Sequence, residues 1–417
     1  MTPEIKQRIE QIRRGEVPEG YVKKRKVVIP QQWGLPQIKD IASISSGSTP
    51  NRNNSEYWNG NIAWVTTGEL SSGHVNHTSE LITVKAVKET KMRIYPQGTL
   101  LMAMYGQGKT RGTVAILEID AAVNQACAAI TVKDGKSKFL FYQLKNSYQD
   151  IRKLSNTGNQ ENLNADIIKT YQVPWAPDEE QERISTILTT QDKVIELKEK
   201  RLAEKQRQKK YLMQQLLTGK KRLPGFNGAW KTDCLGKLFF ERKETNCENI
   251  EMLAITGTQG IIPRKELDLK DNSSEDKSKY LRVYVGDIGY NTMRMWQGVS
   301  AYSNYEGIVS PAYTILKPSS SINAKYFAYL FKMSKIVFLF YRFSQGLVDD
   351  TRNLKYENFK KIKVCYPPDM KEQTAIAEVL SAADREIELL QQDIEQEKQK
   401  KKALMQLLLT GIVRVKT

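Results

Sequence analysis

Apolar residues recur at alternating intervals of four and three positions in two long stretches, one in the middle of the chain and one at its end. This spacing is typical of a helix with one apolar seam. The seam positions are Ile184, Leu188, Ile195, Leu202, Leu212 and Leu216 in the first stretch and Ile376, Leu380, Ile387, Leu390, Ile394, Leu404 and Leu408 in the second. Gln191 and Lys198 interrupt the first seam. We expect two long helices that pair antiparallel, with separate packing of each helix on its own globular domain as the alternative.

Local signals mark the ends of both helices. Asp178 and Asp369 each follow a proline and precede Gln or Glu by three residues, which predicts a capping box at each helix start. Gly219 and Gly411 predict where the helices stop.

The two stretches belong to an internal duplication. The first ends in Leu-Met-Gln-Gln-Leu-Leu-Thr-Gly at 212–219 and the second in Leu-Met-Gln-Leu-Leu-Leu-Thr-Gly at 404–411. A repeat of this length predicts two similar structural units in the order globular domain, helix, globular domain, helix. The expected boundaries are an N-terminal segment of unknown role at 1–32, domains at 33–176 and 223–367, and helices at 177–222 and 368–417. The resulting fold is a mixed α/β (α+β) arrangement with pseudo-two-fold symmetry.

The globular regions contain short apolar runs and amphipathic stretches. Strands are predicted at 61–66, 98–104, 112–117 and 128–132, and short helices at 138–145 and 323–331.

The charge of the chain points to an anionic partner. Lys and Arg number 64 against 47 Asp and Glu, a formal net charge of +17. Such an excess favours nucleic acid, although a basic surface without a partner is the alternative. No apolar run is long enough to cross a membrane and no signal sequence is present, so we expect a cytoplasmic protein.

Candidate catalytic chemistry is sparse. Only two histidines, His74 and His77, are present, and the four cysteines are scattered, which predicts no metal site. The stretch 103–110 resembles a phosphate-binding loop, but an apolar strand pattern follows it where such a loop needs a helix. Asp178 and Glu196 imitate a nuclease site, yet one helix would hold them too far apart to share a metal ion.

Loops rich in Arg, Lys, Asn, Gln, Ser and Thr supply the chemistry for DNA contact, because these side chains bind phosphates and base edges. The candidate DNA-binding residues are Ser48, Thr49, Asn51, Arg52, Thr67, Tyr105, Gln107, Lys109, Thr110, Arg111, Asn159, Gln160, Thr256, Arg264, Lys265, Asn291, Arg294, Trp296, Gln297, Ser344 and Gln345. The strongest candidates for contact with base edges or phosphates are Gln107, Lys109, Arg111, Arg294 and Gln297.

The chain resembles the specificity subunit of bacterial type I restriction–modification enzymes over residues 33–417. The two Leu-Met-Gln-x-Leu-Leu-Thr-Gly segments and the linker Lys-Lys-Arg-Leu-Pro-Gly-Phe at 220–226 carry the resemblance. Further matching segments lie at 60–70, 291–298 and 306–313.

The resemblance implies a non-catalytic subunit that recognises a bipartite site in double-stranded DNA. Each globular domain would read one half-site, and the long helices would set the spacing. It also implies docking of two methyltransferase subunits and of restriction subunits that translocate DNA. No cofactor is expected in this chain; S-adenosylmethionine, Mg²⁺ and ATP would belong to the partner subunits.

Two other functions stay open on the sequence. One is a two-domain DNA-binding scaffold without base readout, which would bind all duplexes equally. The other is a stand-alone nuclease or methyltransferase, which would turn over Mg²⁺-dependent or S-adenosylmethionine-dependent substrates by itself.

Overall fold

A computed structural model describes residues 2–106, 108–154, 162–247, 250–257, 260–267 and 276–415. The chain divides into two compact units. Unit 1 comprises Met1–Leu197 with Ile394–Thr417, and unit 2 comprises Lys198–Asp393. Each unit therefore contains one globular domain and a part of each long helix.

Unit 1 contains, in chain order, α1 (Pro3–Arg13), β1 (Tyr21–Lys24), β2 (Val27–Pro30), α2 (Ile38–Ile41), β3 (Ala42–Ser46), β4 (Trp58–Val65), β5 (His74–Val75), β6 (Glu80–Ile82), α3 (Val84–Thr90), β7 (Leu100–Ala103), β8 (Val114–Leu117), β9 (Ala121–Val123), β10 (Cys127–Val132), α4 (Ser137–Asn146), α5 (Tyr148–Lys153), α6 (Ala165–Thr170) and the first part of α7 (Asp178–Leu216). The strands predicted in this domain are confirmed as β4, β7, β8 and β10, and the predicted helix at 138–145 as α4.

The main sheet of unit 1 has the strand order β3-β10-β7-β8-β5, and a second sheet has the order β6-β4-β9. Successive side chains of a strand point to opposite faces. Leu100 and Met102 of β7 accordingly pack with α4, while Leu101 and Ala103 pack on the other face with β9. Both faces of this strand are buried, which is why every position in it is apolar.

Unit 2 contains β11 (Lys231–Cys234), α8 (Leu235–Leu238), β12 (Phe239–Arg242), β13 (Leu253–Ile255), β14 (Ile261–Pro263), β15 (Leu281–Val283), β16 (Ile288–Asn291), β17 (Ser300–Tyr302), β18 (Gly307–Val309), β19 (Tyr313–Pro318), α9 (Ala324–Leu330), α10 (Ser334–Phe343), α11 (Tyr356–Phe359), β20 (Lys363–Tyr366) and the first part of α12 (Met370–Leu408). Its largest sheet has the order β12-β19-β16-β17. Edge-to-face aromatic contacts hold the core: the ring centroids of Phe239 and Phe327 lie 5.4 Å apart.

The long helices pair antiparallel within each unit. In unit 2, Lys198 pairs with Asp393, Lys205 with Glu386 and Lys209 with Asp384. In unit 1, Ile184 and Leu188 share a core cluster with Met405 and Leu408, whereas Gln191, further along α7, bonds Glu397, which lies earlier on α12. The partner residue thus moves back along α12 as α7 advances, which defines antiparallel helices. All the predicted seam positions are buried or partly buried.

The two polar interruptions of the first seam have partners on the other helix. The Gln191 side chain donates a hydrogen bond to the Glu397 carboxylate at 2.6 Å, within unit 1. Lys198 donates to Asp393 at 2.8 Å, within unit 2. The helix pair therefore keeps its register with polar contacts where apolar ones are missing.

The predicted glycine helix ends are confirmed, and Asp369 caps α12 by accepting from the Lys371 amide at 2.8 Å, but Gln181 and Glu372 do not complete the predicted capping boxes. Gly219 and Gly411 take the left-handed conformation, with φ of 70° and 71°. Gln181 donates to the Ala176 carbonyl at 2.7 Å instead of to a helix cap. Glu372 binds Arg222 from another segment. The Ala176 carbonyl and Arg222 hold the side chains that the local pattern assigned to capping.

The N-terminal segment 1–32 packs on the end of α12, within unit 1. Arg8 donates to the Ile412 carbonyl at 2.6 Å, and the Tyr21 hydroxyl donates to the Gly411 carbonyl at 2.7 Å. Both carbonyls lie just after α12, which ends at Leu408, so these bonds tie the N-terminal segment to the residues that follow the helix. The segment is therefore part of the fold of unit 1.

Candidate nucleic-acid interface

Several polar loops of unit 1 leave the same edge of its sheets. β3 and β7 both end where β10 begins, since Ser46 pairs with Ala128 and Ala103 with Cys127. β4 and β9 run parallel and end together. The loops after these strands carry the candidate residues Ser48, Thr49, Asn51, Arg52, Thr67, Tyr105, Lys109, Thr110 and Arg111. The structure therefore gathers residues from Ser48 to Arg111, 63 positions apart in the sequence.

The loop after β3 is fixed to the end of β9. The Ser48 amide donates to the Val123 carbonyl at 3.0 Å. A Cβ atom on Gly47 would lie 1.8 Å from that same oxygen, so only glycine fits this close approach. Thr49 is hydrogen-bonded to Gln125, which follows β9.

Arg52 stiffens the same loop. Its guanidinium stacks on the Trp58 ring at 4.2 Å and donates to the Glu80 carboxylate at 3.0 Å. The hydrogen bond from Arg52 lowers the pKa of Glu80. Arg52 therefore has a clear role in shaping the loop, which the sequence did not predict, and its contact with DNA stays a prediction.

The loop between β7 and β8 rests on α5. The Tyr148 hydroxyl donates to the Lys109 carbonyl at 2.6 Å, and Arg152 donates to the Arg111 carbonyl at 3.1 Å. Lys109 and Tyr105 are exposed on this support. Arg111 is buried, with 7% of its surface exposed, and its contact with bases or phosphates stays a prediction.

In unit 2 the corresponding loop follows β16 and packs on α10. The Trp296 and Tyr341 rings lie 6.3 Å apart in an edge-to-face contact. The Arg352 guanidinium lies 4.2 Å from the Tyr341 ring centroid, a cation–π contact. Arg294 and Gln297 project from the same loop and are exposed. This surface combines guanidinium, amide and aromatic groups, the types that contact base edges and phosphates.

Two other candidates near this loop make local hydrogen bonds. The Asn291 side chain accepts from the Met293 amide at 2.9 Å, and the Ser344 hydroxyl donates to the Phe340 carbonyl at 2.7 Å. Gln345 pairs through its backbone with Asn353. These bonds order the loop ends, while the Gln345 side chain is exposed.

The remaining candidates of unit 2 lie around β13 and β14. The Thr256 hydroxyl donates to the Gly260 carbonyl at 3.0 Å, and Lys265 forms an ion pair with Glu251 at 2.6 Å. Arg264 lines an open cavity of about 550 Å³ together with Lys279 and Tyr280. Gln107, Asn159 and Gln160 lie outside the described residues.

Sequence reasoning missed residues that the fold brings to both surfaces. Asn124 lies between the loops of unit 1, and its buried Oδ1 has no hydrogen-bond partner among the residues that the structure describes. Gln125 beside it is exposed. In unit 2, Tyr341 and Arg352 complete the aromatic surface. Asn124 and Gln125 could have been found from the sequence, because an Asn-Gln pair directly follows an apolar strand. Tyr341 and Arg352 carry no such signal, and only the fold reveals them.

The alternative chemistries find no support in the geometry. The loop that resembles a phosphate-binding loop joins the antiparallel strands β7 and β8 instead of preceding a helix. Asp178 forms an ion pair with Lys136 at 2.5 Å. Across the described residues, no group of three or more His, Cys, Asp or Glu could hold a metal ion. None of the described helices combines the length and apolar character needed to cross a membrane.

The family model for the type I restriction modification DNA specificity domain matches residues 30–207 and 236–399. The chain belongs to this family. The two matched segments coincide with the duplicated halves of the sequence, so the resemblance drawn from the motifs is confirmed.

Specificity subunits of other organisms are similar to part or most of the chain. The MjaIX specificity subunit of Methanocaldococcus jannaschii is 34% identical over 178 residues, which cover 41% of this chain and 40% of that subunit. The putative MjaX specificity subunit of the same organism is 25% identical over 424 residues, 93% of this chain and 95% of that one. The crystal structure of the S subunit of a type I restriction–modification system from M. genitalium shares the fold, with a TM-score of 0.58 at 14% identity, over 93% of this chain and 98% of that one.

Proposed function

We propose that this chain is the DNA-reading subunit of a type I restriction–modification enzyme and that each unit reads one half of a bipartite site. The observation that carries the proposal is the clustering of Arg, Lys, Asn, Gln and aromatic residues on one surface of each globular domain. The two surfaces belong to the two globular domains of the duplication but differ in their residues. Two different half-sites are the expected consequence.

The partners follow from the same proposal. Two methyltransferase subunits and the restriction subunits would assemble on this chain, with the long helices as spacer between the half-sites. S-adenosylmethionine, Mg²⁺ and ATP would be bound by those partners. A chain that shares the fold at a TM-score of 0.57 was solved in work on complex assembly and conformational transition of the type I restriction–modification system.

The test is to express this chain with the methyltransferase subunit of its own genome in a host without adenine methylation, and to map methylated adenines. A split motif with a fixed gap is the expected result. Methylation without a motif would favour the scaffold alternative. Methylation or cleavage by the purified chain alone would favour the enzyme alternative.

Lys109 is expected to bind a DNA phosphate, because its side chain is exposed on the loop that packs on α5. Lys109→Ala should weaken binding to cognate and scrambled duplexes by the same factor and reduce the slope of log K against log salt by about 1. Fluorescence anisotropy across a salt series measures both. Lys237→Ala, an exposed lysine on α8, is the control. A loss confined to the cognate duplex would contradict the phosphate role.

A further inference from the structure

Tyr329 on α9 contacts both long helices at one point of unit 2. Its hydroxyl donates to the Asp384 carboxylate at 2.7 Å and lies 3.2 Å from the Ser381 hydroxyl, both on α12. Lys209 on α7 forms an ion pair with the same carboxylate. The Lys209 ammonium also lies 5.6 Å from the Tyr329 ring centroid. Three helices therefore meet in one polar cluster.

Unit 1 contains the same cluster with the roles of the long helices exchanged. The Tyr142 hydroxyl on α4 donates to Asp192 at 2.8 Å and lies 3.2 Å from the Thr189 hydroxyl, both on α7. Lys401 on α12 pairs with Asp192, and its ammonium lies 5.6 Å from the Tyr142 ring centroid. The tyrosine, carboxylate, lysine and hydroxyl are thus kept in both halves of the duplication.

The chemistry of the cluster favours a single geometry. Burial raises the pKa of both tyrosines, so each hydroxyl stays a hydrogen-bond donor over the whole physiological range. A hydrogen bond to a carboxylate is shorter and stronger than one between neutral groups, and the lysine neutralises the carboxylate. An apolar junction can slide, whereas a directional bond of this kind fixes both the distance and the angle.

The segments that contain these two tyrosines also contact loops that carry candidate DNA-binding residues. Lys332, three residues after Tyr329, donates to the Gly298 and Ser300 carbonyls at 2.9 and 2.6 Å. These carbonyls end the loop that carries Arg294 and Gln297. Desolvation of its ammonium and the nearby charge of Lys209 lower the pKa of Lys332 to about 8.

Unit 1 repeats this connection in outline. Lys145, three residues after Tyr142, has its ammonium 5.0 Å from the Phe141 ring centroid. It lies 3.4 Å from the position that a Cβ atom on Gly73 would take, at the end of the turn 67–72 that carries Thr67. In both units, three residues separate the tyrosine that contacts the long helices from the lysine that contacts a loop.

We propose that Tyr142 and Tyr329 are positioning residues that fix the orientation of the candidate DNA-binding loops of each unit relative to the long helices. They thereby set how strictly the protein selects the spacing between the two half-sites, without contacting DNA. This inference rests on the proposed function. A change of one base pair in the spacer rotates one half-site by about 35° and shifts it by about 3.4 Å, so a rigid support penalises it.

The test is Tyr329→Phe in the complex assembled with the methyltransferase subunits. Binding is measured to duplexes with the native spacer and with one base pair added or removed. The ratio of these affinities should fall by about tenfold, the scale of a lost hydrogen bond to a charged group. Penalties for substituted bases within each half-site should stay unchanged. Tyr284→Phe is the matched control, because its hydroxyl donates to Glu244 at 3.0 Å within the globular domain.

The outcomes separate the inference from the proposed function. A wild-type complex without any sequence preference overturns the proposed function. A wild-type complex that selects sequence and spacing, together with a Tyr329→Phe complex of equal spacing selectivity, overturns the inference alone. Equal losses of spacing and base selectivity also overturn it, since they indicate general loosening. If Tyr329→Phe fails to fold, Tyr142→Phe replaces it, with Tyr57→Phe, whose hydroxyl donates to Glu89, as control.

Discussion

Replacing Arg222 with methionine is expected to lower the free energy of unfolding of unit 2 by about 3–5 kcal/mol. Arg222 donates two hydrogen bonds to the Glu372 carboxylate, at 2.6 and 2.7 Å, in the first turn of α12. The Glu372 side chain is only 2% exposed, so the substitution leaves a buried charge without its cation. Urea unfolding followed by circular dichroism measures the loss.

Two variants show whether the buried charge is the cause. The double variant Arg222→Met with Glu372→Met should recover most of the lost stability, because it removes both charges together. Lys237→Met breaks an exposed ion pair with Asp233, which solvent screens, and should leave the free energy of unfolding nearly unchanged. A double variant as unstable as Arg222→Met would show instead that packing of the arginine stem dominates.

Unit 1 contains an equivalent buried arginine–glutamate pair, which allows an independent test of the same prediction. In unit 1, Arg414 donates to the Glu180 carboxylate at 2.8 and 2.9 Å, and the Trp33 indole donates to it at 2.9 Å. Glu180 is as deeply buried as Glu372. The third donor partly compensates the carboxylate, so Arg414→Met should cost less than Arg222→Met.

Replacing Arg294 with alanine is expected to lower affinity for the cognate site by roughly 5- to 150-fold and to relax the requirement for one base pair. Arg294 is exposed on the loop after β16, beside the Trp296–Tyr341 aromatic contact. A guanidinium forms two parallel hydrogen bonds with guanine, and losing them removes discrimination at that position. Mapping of methylated adenines in cells that express the variant gives the relaxed position directly.

Arg294→Lys separates base reading from charge. Lysine keeps the positive charge but lacks the planar fork, so binding to non-cognate DNA should be retained while the specific position is still relaxed. A lysine variant with the wild-type motif would assign Arg294 to a phosphate. An alanine variant with the wild-type motif and rate would remove Arg294 from the interface.

Local signals in the sequence were sufficient for the long helices and for most central strands. Seam spacing and helix-ending glycines depend on residues a few positions apart. They predicted the starts of α7 and α12 to within two residues, and the helices end three residues before Gly219 and Gly411, whereas the expected spans 177–222 and 368–417 run six and nine residues too far. Many of the candidate residues lie in loops that follow strands. The surroundings of single side chains could not be predicted in this way. The linear pattern gives no sign that Arg111 is buried, as it is in the fold.

The pairing of polar groups explains the other differences. Gln181 and Glu372 fit a capping box by sequence, but the Ala176 carbonyl and Arg222 hold them in the structure. Arg352 lies more than fifty residues from Trp296 in the chain, and no periodicity links them. Contacts between distant segments have no signature in a single sequence.

The sequence by itself determined the duplicated plan, the two long helices and the family, since each rests on spacing or on segments that can be compared along the chain. Only the tertiary structure decided which arginines are buried, which loops share a surface and which tyrosines join the short helices to the long ones. Burial and long-range hydrogen bonding depend on where the folded chain brings separate segments together, and the free energies of those contacts exist only in the folded state.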